Sequence, residues 1–419
     1  MHIYDTIIIG GGAAGLTAAV LLGRNAARAN ASFSILLLER QARVGKKLLA
    51  TGNGTCNITN ENATPDRYHG DRHVAGAVIR RFSPRDTVAF FNSIGVTCVK
   101  RADGKYYPRA EQAAAVLDQL RIEAQLLGVQ EQCDTNVTTV KRDKNGFCVM
   151  TANGKYVAKT VLVATGGAAA PSLGGSVDGY TLLTAFGHTR TPLFPSIVQL
   201  KTDITFVKAM KGLRIDGAVT LKAGNRERRE TGEILFTEYG LSGPAVMQVS
   251  RLAGDWERQK KGMCTATIDL FPDIHEQDLI TILTRRAEIK GRTLENYLTG
   301  FVNKRIGQTA VRAAGLTLTD CVSTLTRDQI TALARLLKCW EFNVLGTKGF
   351  TGAQVTAGGI TANEFYDNTM QSRYQNGLFA AGEVLDVDGD CGGFNLQFAF
   401  ASAAVAADGI TAYLKAGAV

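Results

Sequence analysis

The chain has 419 residues, which is enough for two or three domains of roughly 100–200 residues each. Its composition, 45% hydrophobic and 20% charged, is that of a soluble globular protein, and its 45 Gly follow no G-X-Y period, which excludes a collagen-like chain. The formal net charge of +9 is concentrated in residues 190–350, where 24 Lys and Arg stand against 17 Asp and Glu. A basic excess attracts phosphate, nucleic acid or a membrane surface when it forms one face, and is otherwise solvated.

The chain begins with the pattern of a βαβ unit. Residues 5–9 are apolar and branched without alternation, which predicts a short buried strand. A glycine turn leads into an alanine-rich helix predicted over 13–28, and residues 34–38 predict a second buried strand. Two such strands joined by a helix within the first 40 residues are typical of an α/β domain.

The remaining elements divide the chain into three parts. Helices are predicted over 84–94, 110–127, 275–290, 293–314, 326–338 and 395–414, and strands within 129–157, 160–164, 196–238, 341–356 and 377–381. Two of the helix starts match capping boxes, Asp273 with Glu276 and Thr326 with Gln329. The simplest division is a discontinuous α/β domain, 1–190 with 356–419, interrupted by an α+β insert, 191–355.

The turn after the first strand carries Gly10, Gly12 and Gly15, which spell G-x-G-x-x-G. In this motif the first glycine permits the tight turn, the second lets the backbone approach a pyrophosphate, and the third lets the helix pack against the strand. The helix N-terminus then offers unpaired N–H groups to phosphate oxygens. Glu39 ends the second strand, somewhat beyond the usual spacing of about 20 residues, where a carboxylate accepts hydrogen bonds from an adenosine ribose. The set predicts a bound adenine dinucleotide.

Three later segments favour FAD over NAD as this dinucleotide. GKKLLATGNGTCN, at 45–57, is a second glycine-rich loop, which a long buried FAD needs along its ribityl and flavin part. VLVATGG, at 161–167, and GLFAAGEVLDVDG, at 377–389, each end a strand on a glycine turn, as expected at the floor of a flavin site. No second G-x-G-x-x-G follows a strand, so NAD(P)H, if it is the reductant, would dock transiently without its own Rossmann domain.

Five segments carry a resemblance to a known family: DTIIIGGGAAG, ERQARVGKKLLATGNGTCNITN, VLVATGG, GEILFTEYGLSGPAVMQVSR and GEVLDVDGDCGGFNLQFAFASA. The chain resembles the bacterial BaiN-like flavoproteins, whose members are also called aminoacetone-oxidase-like or NAD(FAD)-utilising dehydrogenases. The resemblance spans both ends of the chain and the insert, and the TGNGTCN and GGFNLQ blocks are specific to the group. It implies a glutathione-reductase-type Rossmann FAD-binding domain, discontinuous in sequence, with an inserted β-barrel plus helical domain.

The resemblance also implies which residues hold the cofactor. The ADP half of FAD would be held by Gly10, Gly12, Ala13, Ala14, Gly15, Glu39 and Arg40. The stretch from pyrophosphate to flavin would be lined by Lys47, Thr51, Gly52, Asn53 and Asn57. Adenine and ribitol contacts would come from Val137, through its backbone, and from Thr165, Gly166, Gly382 and Glu383. The last helix, whose N-terminal dipole would face the flavin N1–C2=O edge, would open with Asn395, Leu396 and Gln397.

These features predict an FAD-dependent oxidoreductase that exchanges hydride between flavin N5 and a small organic substrate bound between the FAD domain and the insert. Relatives imply two possible reactions: the reduction of a conjugated enone such as a 3-oxo bile acid, and the oxidation of a small amine. The residues do not choose between them, and no side chain is identified as the catalytic acid or base. Glu238 stands where relatives often have His, so an acid–base role does not carry over to that position.

The sequence indicates neither a metal site nor a redox disulfide. Its eight Cys include no CxxC pair, and Cys56, in the loop expected near the flavin, has no second Cys within a few residues. His69 and His73 have the spacing of one helix face, but no further ligands lie near them in the sequence. His188 is expected to be structural. We therefore expect FAD as the resident cofactor, without a metal.

The chain contains no apolar run close to the ~18 residues of a membrane span, and its first strand begins too early to leave room for a signal peptide. We therefore expect a cytoplasmic protein with a small-molecule substrate and no membrane partner. No pattern in the sequence indicates an oligomeric state.

Two other interpretations stay open. A flavoprotein that binds or modifies RNA would need one continuous basic face formed by Lys201, Lys208, Lys211, Arg214 and Arg226 to Arg229. No RNA-binding motif supports that face, and acidic residues are interleaved with it, so the first interpretation includes no nucleic-acid partner. A non-catalytic flavin-binding sensor is the third interpretation, because no catalytic acid or base is identified.

Overall fold

The computed structural model describes residues 2–144, 146–260 and 262–417. They cluster into two compact units: unit 1 is Met1–Leu193 with Val355–Val419, and unit 2 is Phe194–Gln354. Unit 1 is therefore discontinuous, and unit 2 is inserted between its two parts. Within the described residues, no helix is both long and apolar enough to cross a membrane.

The first part of unit 1 contains ten strands and six helices among its described residues. In chain order they are β1 (Ile3–Ile9), α1 (Ala13–Arg28), β2 (Ile35–Leu38), α2 (Lys46–Leu49), β3 (Thr59–Asn60), β4 (Tyr68–Gly70), α3 (Arg72–Arg81), α4 (Pro84–Ser93), β5 (Cys98–Lys100), β6 (Lys105–Pro108), α5 (Ala113–Leu126), β7 (Gln130–Gln132), β8 (Val137–Asp143), β9 (Gly146–Thr151), β10 (Gly154–Val163) and α6 (Asp178–Thr184).

Unit 2 and the C-terminal part of unit 1 continue this order. Unit 2 contains β11 (Phe194–Ser196), β12 (Leu200–Thr202), β13 (Arg214–Ala223), β14 (Arg226–Phe236), β15 (Gly240–Ser242), α7 (Pro244–Gln259), β16 (Cys264–Asp269), α8 (Glu276–Ala287), α9 (Lys304–Ala313), α10 (Arg327–Lys338), β17 (Trp340–Thr347) and α11 (Gly349–Gly352). The C-terminal part of unit 1 contains β18 (Val355–Ala357), β19 (Leu378–Ala380), β20 (Val387–Gly389) and α12 (Phe394–Ala416).

The main sheet of unit 1 is mostly parallel. Its strand order is β7-β2-β1-β10-β9-β8, and β19 also pairs with β10. β7, β2, β1, β10 and β19 pair in parallel, whereas β9 joins the first half of β10 in antiparallel orientation and β8 joins β9 in the same way. Ile9 is level with both Leu38 and Val163. The loops that follow these parallel strands therefore start at one edge of the sheet.

Unit 2 is built on a closed barrel with the strand order β12-β15-β14-β13-β16-β17. Neighbouring strands of the barrel pair in antiparallel orientation, and the longest hairpin, β13 with β14, runs in register from Arg214–Leu235 to Ala223–Arg226. Buried residues of α7 to α10 share one hydrophobic core with the barrel strands. The α/β class, the Rossmann-type domain and the barrel-plus-helices insert predicted from the sequence match this architecture.

Two helix predictions in unit 2 are wrong in detail. The predicted helix over 293–314 is a short 3-10 turn at Leu294–Asn296, then a left-handed Gly300, and only then α9, which begins after the capping side chain of Asn303. Asp273 does not cap α8, because the helix begins two residues later, with His275 as its N-cap residue and no side-chain cap.

The other capping box is confirmed. The Thr326 hydroxyl accepts the N–H of Gln329, and the side chain of Gln329 accepts the N–H of Thr326, at the start of α10. The two histidines predicted to share a helix face do not do so, since His69 lies in β4 and His73 lies in α3. His69 instead places its Nε2 3.1 Å from Oδ1 of Asp390.

Gln397, in the first turn of α12, connects three other segments of unit 1. Its Oε1 accepts hydrogen bonds from the hydroxyls of Thr59 (2.6 Å) and Thr87 (2.8 Å), and its Nε2 donates to the carbonyl of Phe82 (2.9 Å). The side chain is fully buried. These bonds hold the start of α12 against β3, against α4 and against the end of α3.

We expect Gln397→Leu to lower the free energy of unfolding by about 3 kcal/mol, because three buried polar groups lose their partners while the side-chain volume is kept. Urea unfolding followed by circular dichroism measures the change. The control is Gln125→Leu, on the exposed face of α5, which we expect to change stability by less than about 0.5 kcal/mol. Equal effects of the two substitutions would contradict this role of Gln397.

Candidate functional site

The carboxyl ends of the parallel strands bring four loops to one edge of unit 1. Direct backbone bonds join neighbouring ends: Gly10 N–H donates to Leu38, Ala164 N–H to Ile9 and Ala381 N–H to Val163. In open α/β sheets, ligands bind in the crevice at this edge. The structure thus places together the turns that begin at Gly10, Glu39, Thr165 and Gly382.

The three motif glycines have two different roles in the structure. A Cβ on Gly10 would lie 2.5 Å from the carbonyl oxygen of Ala164, and a Cβ on Gly15 would lie 1.9 Å from the carbonyl oxygen of Gly10. Both positions therefore require glycine for packing. At Gly12 a Cβ would meet nothing within 4 Å. Gly12 is the N-cap residue of α1 and has no side-chain cap, so the open space lies where the first N–H groups of the helix have no partner.

Glu39 holds this turn in place. Its Oε2 accepts the N–H of Gly11 and its Oε1 accepts the N–H of Gln41, each at 2.8 Å. A carboxylate has about four lone-pair positions, so two of them are left for the ribose hydroxyls predicted as its partners. Arg40, the next residue, forms an ion pair with Asp178 at 3.0 Å.

The second glycine-rich loop is hydrogen-bonded to the first. Gly45 N–H donates to the carbonyl of Gly11 at 2.8 Å. Beyond the short helix α2, Gly52 and Asn53 are both left-handed, with φ of 56° and 55°. The hydroxyl of Thr51 donates to the carbonyl of Leu48 at 2.6 Å. Two successive left-handed residues turn the loop sharply, and residues 52–54 are exposed.

Lys47 and Glu383, both predicted to contact the cofactor, form an ion pair with each other. Lys47 Nζ lies 2.7 Å from Oε2 of Glu383, and Oε1 of Glu383 accepts the N–H of Thr356 at 2.9 Å. The hydroxyl of Thr356 in turn accepts the N–H of Ala169 at 2.9 Å. This pair joins the second loop to the turn after β19. Thr356 has no signal in the sequence, because its role depends on partners far away in the chain.

The turn that begins at Gly382 packs directly on α1. Gly382 has a φ of 78°, and a Cβ there would lie 3.1 Å from the Cβ of Ala14. Its N–H donates to the hydroxyl of Ser402, in α12, at 2.9 Å. Gly166, in the neighbouring turn, has a φ of 70° and open space where a Cβ would stand. The hydroxyl of Thr165 points towards Gly179 of α6.

The N-terminus of α12 completes the site. Asn395 has both atoms of its amide engaged with the backbone of Gly389, at 2.8 Å each. The side chain of Gln397 is used by its hydrogen bonds to Thr59, Thr87 and Phe82, and its backbone N–H donates to the carbonyl of Gly393. Gln397 therefore affects a ligand only by holding the start of α12 in position. Leu396 is half-buried beside it. Val137, by contrast, is buried at the start of β8, two residues after Thr135, whose N–H donates to the carbonyl of Glu39.

The surroundings of Asn57 show whether these residues fit a bound cofactor. It is only 8% exposed, and its Oδ1 has no hydrogen-bond partner among the described residues. That oxygen lies beside Gly393, the N-cap of α12. A buried acceptor without a partner costs roughly 1–3 kcal/mol. A flavin offers both the N3–H that such an acceptor needs and the C2=O that a helix N-terminus favours, so the residues present fit FAD.

The thiols near the site are not activated. Burial raises the pKa of Cys56 to about 12, although a hydrogen bond with Thr51 opposes this effect. Burial also raises the pKa of Cys98 to about 11. Since the thiolate is the reactive form of cysteine, neither residue is suited to thiol–disulfide chemistry at neutral pH.

His188 forms a buried polar network away from this edge. Its Nδ1 lies 2.9 Å from Oε2 of Glu364 and its Nε2 lies 2.8 Å from the hydroxyl oxygen of Ser372. That oxygen already accepts the N–H groups of Tyr374 and Gln375, so its proton goes to His188 Nε2 and the imidazole is neutral. Ser372 is 1% exposed, so the Ser-His-Glu order does not form a hydrolase site. Burial lowers the pKa of His188, although Glu364 opposes this effect.

The basic residues of unit 2 do not form one face. Arg214 and Arg226 lie at opposite ends of the β13–β14 hairpin, about 30 Å apart at roughly 3.4 Å per residue. The arginines are also paired with carboxylates: Arg214 with Glu233, Arg226 with Asp255, Arg228 with Glu230 and Arg229 with Asp269. The continuous basic face that the RNA interpretation requires is therefore not formed, because the length of the β13–β14 hairpin separates Arg214 from Arg226 to Arg229.

A family model described as HI0933-like protein Rossmann domain matches residues 4–409. The chain belongs to this family. It is 37% identical, over 94% of its own length and 96% of the relative, to the 3-dehydro-bile acid delta(4,6)-reductase of Clostridium scindens. It is also 32% identical, over 96% of its length and 97% of the relative, to the ribosomal RNA dihydrouridine synthase of Escherichia coli.

Among solved structures, the 3-ketosteroid delta1-dehydrogenase of Sterolibacterium denitrificans matches with a TM-score of 0.53 and 12% identity, over 98% of this chain and 100% of that one. At this identity the match shows the fold. The family resemblance seen in the sequence is confirmed, and the protein is an FAD-dependent oxidoreductase. Which of the named residues touch FAD stays a prediction.

The glycine geometry gives a matched pair of substitutions. We expect Gly12→Ala to change the free energy of unfolding of the apoprotein by less than about 1 kcal/mol, because its Cβ has open space and its φ of −84° suits alanine. The same Cβ would occupy the space of a pyrophosphate, so the Kd for FAD, measured by quenching of flavin fluorescence, should rise at least ten-fold.

Gly15→Ala should behave in the opposite way and destabilise the apoprotein by several kcal/mol, since its Cβ would overlap the carbonyl of Gly10. If Gly12→Ala bound FAD as tightly as the wild type, the open space at Gly12 would not be the pyrophosphate site.

A second prediction concerns pH. The folded-state pKa of His188 is below its unfolded value of about 6.5, so the unfolded chain binds protons that the folded chain does not. The stability that neutral His188 contributes is therefore present above pH 6.5 and is lost as the pH falls below it. His188→Gln should destabilise the protein more at pH 7.5 than at pH 5.0 in urea unfolding. An equal loss at the two pH values would contradict the neutral, buried state of His188.

Proposed function

We propose that this protein adds hydrogen across a C=C bond conjugated to a carbonyl group, with NADH or NADPH as the electron donor. The observation that carries the proposal is the 37% identity, over 94% of the chain, to a protein named as a reductase of the delta(4,6) bonds of a 3-dehydro-bile acid. In such a molecule the C4 and C6 double bonds are conjugated to the C3 carbonyl.

The second relative supports the same reaction class. Its name describes the formation of dihydrouridine, in which the C5=C6 bond of uridine, conjugated to the C4 carbonyl, is reduced. The two names therefore share a reaction and differ in the size of the substrate. No observation on this chain favours the oxidation of an amine.

The contribution of the chain is binding, orientation and electrostatics. FAD, when bound, supplies the two-electron chemistry. Gly12 leaves room for the pyrophosphate beside the free N–H groups of α1, and Glu39 fixes the turn that carries Gly12. The positive end of α12, a helix of 23 residues, favours negative charge at its N-terminus, where Asn57 adds a buried acceptor. Gln397 holds that end of the helix in place.

The electrons reach the substrate without a thiol relay in this proposal, because Cys56 and Cys98 are held as thiols by burial. The nicotinamide has no Rossmann domain of its own within the described residues. GTKGFTG, at 346–352, lies across the end of β17 and the four-residue helix α11 rather than between a buried parallel strand and a long helix. A nicotinamide would therefore dock for the time of electron transfer only.

The reaction class is tested by offering the holoenzyme both kinds of substrate. We expect NADPH or NADH to bleach the bound flavin under anaerobic conditions, and a 3-oxo-Δ4 steroid acid to restore its colour with one C=C bond reduced per nicotinamide consumed. The comparison is aminoacetone with oxygen, which should give no hydrogen peroxide above the rate without amine. Peroxide formation with the amine, and no bleaching by either nicotinamide, would refute the reductase proposal.

A further inference from the structure

One face of β6 carries ionisable side chains beside the loop of residues 51–57 and the start of α12. Successive side chains of a strand point to opposite faces, so Lys105 and Tyr107 share one face and Tyr106 lies on the other. β6 is the middle strand of a three-stranded sheet, between β3 and β5. Strand pairing on both sides therefore fixes the face that carries Tyr107.

Both side chains of this face reach segments that are predicted to hold FAD. A Cβ on Gly52 would lie 3.6 Å from Cε1 of Tyr107 and 3.0 Å from the backbone nitrogen of Asn57. A Cβ on Gly392, which directly precedes the N-cap residue of α12, would lie 3.3 Å from Cε of Lys105. One face of β6 thus contacts both segments that are predicted to surround the flavin.

The backbone of β6 is bound to the same place. The carbonyl of Tyr106 accepts the N–H of Ile58, the residue after Asn57, at 2.8 Å, and Tyr106 pairs with Thr59 in the ladder of β3 and β6. These contacts hold Tyr107 close to Asn57, whose Oδ1 is buried and has no partner among the described residues.

Tyr107 has the properties of a proton donor. The guanidinium carbon of Arg101 lies 3.9 Å from the centre of the Tyr107 ring, and Lys105, on the same face of β6, is paired with Asp103 at 2.6 Å. Burial raises the pKa of the Tyr107 phenol, and the charges of Lys105 and Arg101 oppose this increase. Asp103 and Cys391 act in the same direction as burial. The phenol is therefore protonated at neutral pH, while two cations stabilise the phenolate that is left when it gives up its proton.

The other hydroxyl groups next to Gly52 are already used. Thr51 donates to the carbonyl of Leu48 and Thr55 donates to the carbonyl of Gly52, each at 2.6 Å. The hydroxyl of Tyr107, by contrast, has no hydrogen-bond partner among the residues that the structure describes. Tyr107 can therefore offer its proton to a ligand.

We propose that Tyr107 is the catalytic acid of the reduction. This inference rests on the proposed function, in which a C=C bond conjugated to a carbonyl group is saturated. One NADH or NADPH supplies the hydride that bonds to the β-carbon, and the electron pair of the C=C bond takes the phenol proton to form the new C–H bond at the α-carbon. The phenolate regains a proton from water, so each turnover consumes one nicotinamide and one solvent proton.

The test separates the two half-reactions of the holoenzyme. In Tyr107→Phe, the rate at which a 3-oxo-Δ4 steroid acid restores the colour of the reduced protein should fall about 100-fold or more, as expected when a positioned acid is lost. Anaerobic bleaching by NADPH should change less than about three-fold, because it needs no proton at the substrate carbon. The control is Tyr106→Phe, the same change on the opposite face of β6, which should leave both rates within about two-fold.

The pH profile distinguishes an acid from a residue that only shapes the site. The wild-type rate of reoxidation by the enone should be constant from about pH 7 to pH 9, because the phenol stays protonated there. The residual rate of Tyr107→Phe should fall as the pH rises, because the proton then comes from solvent. An equally flat profile in both proteins would overturn the assignment, as would loss of the reaction in Cys391→Ala but not in Tyr107→Phe.

Chemical modification gives a readout that needs no turnover. Tetranitromethane nitrates tyrosine rings, and peptide masses locate the nitro groups. Adding FAD to the apoprotein should slow the nitration of Tyr107 by about three-fold or more, because a bound ligand covers the residues that line its site. The nitration of Tyr374, which is 56% exposed, should not change. Equal nitration of Tyr107 with and without FAD would place its ring away from the cofactor and overturn the inference.

The wild-type protein separates this inference from the proposed function. If the wild type reduces the enone and Tyr107→Phe does so equally fast, only the role of Tyr107 is refuted. If the wild type reduces no enone, the proposed function is refuted and the acid role falls with it, even where FAD protects Tyr107 from nitration.

Discussion

The edge of the unit 1 sheet where FAD is predicted to bind depends on how closely α1 approaches the end of β1. The position that a Cβ of Gly15 would take is 1.9 Å from the carbonyl of Gly10, so the approach is open only to a residue without a side chain. This contact aims the N-terminus of α1 at the crevice. Glu39 then fixes Gly11 through its N–H, and Gly45 binds the carbonyl of the same residue. Both glycine-rich loops are thus built on one turn. Glu383, which is 336 positions away from Lys47 in the chain, joins them through its ion pair with Lys47.

The parts of the fold that could be predicted from the sequence are those whose cause is local. The first strand, α1 and the second strand follow from apolar runs and a glycine turn, and α10 follows from a capping box within four residues. The helix predicted over 293–314 was wrong because a left-handed Gly300 and the cap at Asn303 outweigh apolar periodicity. For the site, the glycine motif and the loops at the strand ends could be found, whereas the bonds that fix them could not. Gln397 with Thr59 and Thr87 joins residues more than 300 apart, and no pattern within a window of sequence reports such a contact.

Unit 2 shows how charge in a sequence differs from charge on a surface. Its sequence has more basic than acidic residues, but the length of the β13–β14 hairpin separates these basic residues in space. Arg214, Arg226 and Arg229 are also each paired with a carboxylate.

The most direct measurement of the central claim is the identity of the chromophore in the purified protein. We predict absorbance bands near about 450 nm, and release on heating of one FAD per chain, identified by mass. Protein purified without the cofactor should regain these bands when FAD is added and excess ligand is removed. A colourless protein that does not retain added FAD, or one that releases a different cofactor, would contradict the account of the edge formed by Gly12, Glu39, Asn57 and the N-terminus of α12.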